Sequence, residues 1–218
     1  MRTKFYFLII LCAVILTSAT ELQKPKRIIF FGDSITQAGV SPDGYITQLG
    51  NSLKMPDYEL IGAGIGGNKV YDLYLRMEED VLMKKPDVVV IYIGINDVWH
   101  RLQGTGTDYD KFIKFYQAII TKIENTGSKV ILCTPTVIGE KKDGVNPMDE
   151  NLDKFAGAIR ELAEKNKLPL CDLRTLFVNY EKEHSTTDLE KGVLTSDGVH
   201  LNKLGNKLVA DNLLPFLK

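Results

Sequence analysis

The 218-residue chain holds only three cysteines and three histidines, and both shortages narrow its chemistry. So few thiols cannot build a disulfide scaffold, and a domain of about 200 residues buries roughly 70% of its unfolded surface without one. No cluster has metal-ligand spacing, so neither a metal nor another cofactor is expected. Charge is nearly balanced, with 27 Lys and Arg against 28 Asp and Glu. There is no basic patch of the kind that binds nucleic acid. Internal repeats, low-complexity segments and linkers are lacking, which favours one domain. Past the N-terminus, no long apolar lid or exposed amphipathic helix suggests work on a lipid surface.

The N-terminus carries what the rest lacks. Arg2 and Lys4 precede an apolar run from Phe5 to Leu16, and Thr17, Ser18 and Ala19 supply small residues. This predicts a secretory signal peptide over residues 1–19, cleaved near Ala19, and a single domain over 20–218. Left uncleaved, it would act as an N-terminal anchor. Cleavage leaves no stable membrane span, so the mature protein is expected to be secreted or periplasmic. Losing Arg2 and Lys4 takes the formal net charge from −1 to −3. Cys12 follows Leu11, a residue too large for a lipoprotein signal. The mature chain keeps Cys133 and Cys171, each ending an apolar run. Both are expected as buried thiols that an oxidising compartment could join.

Strand and helix signals alternate along the mature chain. Apolar runs predict strands over Ile28–Phe31, Tyr58–Ile61, Asp87–Ile93, Lys129–Cys133 and Leu168–Asp172. Helical spacing covers Tyr45–Leu53, Val70–Met83, Tyr109–Ile123, Met148–Asn166 and Lys203–Leu217. This alternation indicates βαβ units and a parallel sheet. The expected fold is a three-layer α/β/α sandwich with five parallel strands in the flavodoxin-like order 2-1-3-4-5. The connections Trp99–Asp108, Pro135–Pro147 and His184–Gly198 then fall on the C-terminal side of the sheet, where binding loops belong.

Ser34 lies just past the first strand, where open α/β sheets bind ligands. It is either a helix N-cap or a nucleophile. A histidine base would have to be His100, His184 or His200. Asp97 stands three residues before His100, and Asp197 three before His200, so either pair could form an oriented dyad. Gly62-Ala63-Gly64-Ile65-Gly66-Gly67 follows the second strand. Bare backbone amides there could serve an oxyanion, a dinucleotide or merely a tight turn. The dinucleotide reading lacks an acidic residue at the end of the next strand. Asn96, after the third strand, is an oxyanion donor or ordinary turn chemistry. Tyr45, Trp99, His100 and Tyr109 could stack on a sugar, flank a small acyl group, or pack the interior.

Four blocks, Gly32-Asp33-Ser34-Ile35, the glycine run, Gly94-x-Asn96-Asp97 and Asp197-x-x-His200, together resemble the SGNH hydrolases of the GDSL esterase/lipase family. The likeness covers the chain from about Ile28 to the last helix. Gly62 stands where the family's second block often has asparagine. The resemblance implies Ser34 as nucleophile, His200 as base and Asp197 as its orienter. It implies an oxyanion hole formed by the Ser34 and Gly67 backbone N–H groups and the Asn96 amide, and it assigns Trp99 and His100 to a substrate loop. The expected activity is hydrolysis of short-acyl esters, with a small-molecule ester or an acetylated glycan as substrate. The alternatives are a lysophospholipase- or thioesterase-type acyl hydrolase and a non-catalytic carbohydrate-binding protein.

Overall fold

The structure, a computed structural model, describes residues 24–142, 144–184 and 189–218. The expected signal peptide lies outside them. Strands β1 (Lys26–Gly32), β2 (Tyr58–Gly64), β3 (Val88–Tyr92), β4 (Lys129–Cys133) and β5 (Leu170–Cys171) form one sheet in the order β2-β1-β3-β4-β5. Every pairing is parallel. The sheet order is the one the alternating pattern predicts.

Side chains alternate across the sheet and feed two cores. Ile29, Phe31, Val89, Ile91, Val130 and Leu132 face helices α3 (Val70–Asp80), α5 (Tyr109–Glu124) and α6 (Asp149–Asn166). Ile28, Phe30, Val88, Val90, Ile131 and Cys133 face α2 (Tyr45–Ser52), α7 (Leu173–His184) and α8 (Lys203–Leu217). Every residue of β3 is buried, as a continuous apolar strand between two helical layers must be. Each fully buried Phe or Ile contributes roughly 1.5–3 kcal/mol relative to exposure. The strands are therefore rigid mounts for whatever stands at their ends.

Several boundaries differ from the sequence pattern. β2 runs on to Gly64, because Gly62 to Gly64 pair with Phe30 to Gly32. α3 stops at Asp80: Val81 leaves helical geometry at φ −128°, and Leu82–Lys84 form a 3₁₀ turn ended by Lys85 at φ 50°. β5 shrinks to two residues, paired only through Leu170 and Cys171. Two short helices, α1 (Ser34–Ala38) and α4 (Ile95–Trp99), follow β1 and β3. Five residues are too few to show a helical period. α7 is a helix that the sequence pattern does not place; it starts after Asp172, whose side chain accepts the Thr175 N–H at 3.3 Å and whose carbonyl accepts the Leu176 N–H at 3.2 Å. Cys133 and Cys171 face each other across β4 and β5, buried and unbridged.

Candidate active site

The carboxyl ends of β1, β2 and β3 carry three of the four blocks. At β1, the side chain of Asp33 caps α1, accepting the Ile35 N–H at 3.0 Å. The capping role open to Ser34 is thus filled by its neighbour, and Ser34 becomes the first helical residue with its hydroxyl free for other work. Ser34 Oγ lies 3.0 Å from His200 Nε2, and His200 Nδ1 lies 2.7 Å from Asp197 Oδ2. Asp197 Oδ1 accepts the N–H of Val199 at 3.0 Å and of His200 at 2.8 Å. Burial pushes the Asp197 carboxyl up, but the hydrogen bonds from the His200 ring and from these amides outweigh it and hold it below the usual carboxylate range. Burial, aided by nearby Asp97, raises Asp33 to about 7.

The second expected dyad does not form. Both carboxylate oxygens of Asp97 face the Val70 N–H, at 3.2 and 3.3 Å, and its carbonyl accepts the Thr107 N–H at 3.0 Å. Asp97 therefore ties the start of α3 to α4 and the following loop, and burial raises it to about 6. His100 is left to the site's rim, where its Cε1 lies 3.9 Å from a Cβ built on Gly67. Burial and the Lys69 charge push its pKa down. Trp99 sets its ring edge-to-face against His200, with centroids 6.4 Å apart. Tyr45 and Tyr109, in contrast, are packing residues. Tyr45 is fully buried against Phe30 and Tyr92. Tyr109 packs on Phe155 beneath Lys154.

The glycine run resolves into two jobs. Gly64 allows β2 to press on α1: a Cβ there would stand 2.1 Å from the Gln37 nitrogen and 2.5 Å from the Thr36 carbonyl carbon. Gly67 turns the chain at φ 76°, a conformation that favours glycine. Its neighbours are anchored, Gly66 N–H to Gln37 Oε1 at 2.9 Å and Asn68 N–H to the Ile65 carbonyl at 3.3 Å. The Gly67 N–H itself has no partner among the described residues. Asn96, buried, donates one amide hydrogen to the Asn68 carbonyl at 3.1 Å, which leaves its second for another acceptor.

Arg76 joins these parts from α3. Its Nε donates to Asn68 Oδ1 at 2.7 Å, and its Nη2 to the carbonyls of Gly32 at 2.8 Å and Ala63 at 3.0 Å. The guanidinium stacks 4.6 Å over the Phe31 ring. No sequence signal marks it, because an arginine on an amphipathic helix reads as solvated surface. The assembled groups comprise a hydroxyl, a base within hydrogen-bond reach, a carboxylate behind the base and amides able to meet an oxyanion, which is the equipment of acyl transfer. Among the described residues, no group of three or more His, Cys, Asp or Glu could hold a metal ion.

A parallel α/β/α sandwich with this constellation beyond its strand ends defines an ester hydrolase of the SGNH type. The chain belongs to the GDSL-like lipase/acylhydrolase family, which it matches over residues 30–208, and it is a carboxylic ester hydrolase. It is 53% identical to the crystal structure of an acetyl xylan esterase, AlAXEase, with a TM-score of 0.87 over 88% of this chain and 100% of that one. Among curated proteins, it is 29% identical over 206 residues to an acetylxylan esterase of Geobacillus stearothermophilus, covering 85% of this chain and 90% of the relative. It is also 24% identical to an uncharacterised lipoprotein, YqeF, of Bacillus subtilis, covering 95% and 96%. Among the described residues, no helix is long and apolar enough to cross a membrane.

Proposed function

We propose that this protein is an exported esterase that removes acetyl groups from carbohydrates through an acyl-enzyme on Ser34. The continuous relay of Ser34 Oγ, His200 and Asp197, with contacts of 3.0 and 2.7 Å, carries this reading. Likeness to two acetylxylan esterases supports acetyl as the acyl group and a glycan as its carrier. Export rests on the N-terminal leader, with a lipoprotein among the relatives.

In this mechanism, His200 Nε2 takes the Ser34 proton as Oγ attacks the ester carbonyl. Asp197, on Nδ1, fixes the tautomer and stabilises the cation that forms. The carbonyl oxygen, gaining negative charge, meets the Ser34 and Gly67 N–H groups and the free Asn96 amide hydrogen. His200 then gives that proton to the leaving sugar oxygen, which departs as a hydroxyl. Water, deprotonated by the same imidazole, attacks the acetyl-serine; His200 returns that proton to Ser34 Oγ as acetate departs. Trp99, edge-to-face with His200, and His100, near Gly67, are the residues this reading sets against the sugar ring.

The test uses p-nitrophenyl acetate, butyrate and octanoate, then acetylated xylo-oligosaccharides with release of acetate measured. Acetate should be cleaved fastest and Ser34→Ala should be inactive. Preference for octanoate would replace the reading with a lipid acyl hydrolase. Inertness of both proteins, with glycan binding retained, would replace it with a binding protein.

A further inference from the structure

The Asp197–His200 pair stands on a loop, not on a helix or strand, yet its geometry has to be held to a fraction of an ångström. Upstream of the pair, three consecutive backbone amides converge on one side chain from a distant connection. Glu140 Oε2 accepts the Val193 N–H at 2.7 Å, and Oε1 accepts the N–H groups of Leu194 and Thr195 at 2.6 Å each. Glu140 is wholly buried. A carboxylate without water requires such donors, and bonds to an ionised acceptor are short and strong. The main chain adds two further ties: Gly139 N–H to the Gly198 carbonyl at 2.8 Å and Glu140 N–H to the Glu190 carbonyl at 3.0 Å.

Orientation passes on from there. Thr195 Oγ1 accepts the Gly198 N–H at 3.0 Å, and Thr195 bridges Leu201. Ser196 N–H donates to the His200 carbonyl at 2.8 Å. The loop therefore closes on itself around Asp197 and His200, and its base is fixed by one buried carboxylate.

We propose that Glu140 is a positioning residue for catalysis: by gripping the amides of Val193 to Thr195, it sets the pose from which Asp197 and His200 reach Ser34. The proposal rests on the assignment of those three residues as the reacting relay. Glu140 touches neither substrate nor reacting atoms and acts only through the loop.

The substitution Glu140→Gln is the sharper test, because its carbonyl can keep the two bonds made by Oε1 while its NH₂ is set against the Val193 N–H. Glu140→Ala loses all three. On p-nitrophenyl acetate, well below melting, kcat should fall about tenfold in E140Q and about a hundredfold in E140A, as expected for sub-ångström misplacement of a reacting group, with KM little changed. A merely structural role would lower the melting temperature and leave kcat of the folded protein intact. The effect should also vanish where the relay is already broken: in an Asp197→Asn background, E140Q should cost less than about twofold. The proton shared by Asp197 and His200 gives a spectroscopic readout, since a downfield NMR signal present in the parent and absent in His200→Ala should broaden in E140Q. If E140A fails to fold, E140Q and the double variant decide alone. Unchanged kcat in E140Q, or an equal loss in both backgrounds, overturns the proposal. An active Ser34→Ala protein overturns the underlying reading instead, and the two failures are distinct.

Discussion

Arg76 Nη2 donates to the carbonyl oxygen of Gly32 at 2.8 Å, two residues before Ser34. The same guanidinium holds the end of β2 through Ala63 and the side chain of Asn68, whose carbonyl takes the Asn96 amide. One planar fork thus ties together the strand before Ser34 and the loop that presents the Gly67 amide. A lysine offers a point charge that cannot match three directed donors. Arg76→Lys should therefore lower kcat on p-nitrophenyl acetate by about tenfold with little change in KM, the pattern of displaced transition-state donors. Equal kcat in the folded variant would show that the backbone alone holds this loop.

Asn96 has one amide hydrogen committed to Asn68 and one available. Asn96→Ala removes both, and loss of one oxyanion donor costs on the order of 10²–10³ in kcat. Steady-state rates with acetate esters check this. A loss below tenfold would leave the oxyanion to the two backbone amides.

The two histidines with an aspartate three residues before them should separate cleanly. His200 contacts Ser34, whereas Asp97 is occupied by Val70 and does not orient His100. His200→Ala should lose on the order of 10⁶-fold in kcat, as when any member of a unit acting together is removed. His100→Ala should retain more than about a tenth of kcat on a small ester, because it lacks a place in the proton relay. Abolition by His100→Ala would move the base.

Sheet order and the four blocks were legible because they are local. Five apolar runs, each followed by a polar or glycine-rich turn, define parallel strands with chemistry beyond their ends. What was not legible is long-range. Glu140 meets amides more than fifty residues away, and in sequence it sits in a polar loop. Arg76 sits on the outward side of an apolar helix pattern, yet reaches across to β1. Tyr45 reads equally as a ring for sugar stacking or for packing, and only its burial between Phe30 and Tyr92 decides. The role of Asp33 as cap of α1 was hidden because a five-residue helix leaves no periodic trace.

The buried carboxyls make a last prediction about stability. Burial is the leading cause that raises Asp33 to about 7 and Glu181, further pressed by Glu140, to about 8. Unfolded, these groups lose their protons near pH 4. Above that pH the folded protein binds more protons than the unfolded chain, so stability falls as pH rises. Their contribution is complete below the unfolded values and is lost as pH climbs through 7 and then 8. His100, held below its ordinary value of 6.5, works the other way only in more acidic solution, and Asp197 opposes only near its own still lower range. Between pH 6.5 and 8.5 the opposing effect of His100 fades while that of the carboxyls persists, and the melting temperature should decline. Glu181→Gln removes one titrating group without changing its shape, so its melting temperature should fall less steeply over that window. A flat profile in the parent protein, or identical slopes in both, would mean that these carboxyls are ionised in the folded state.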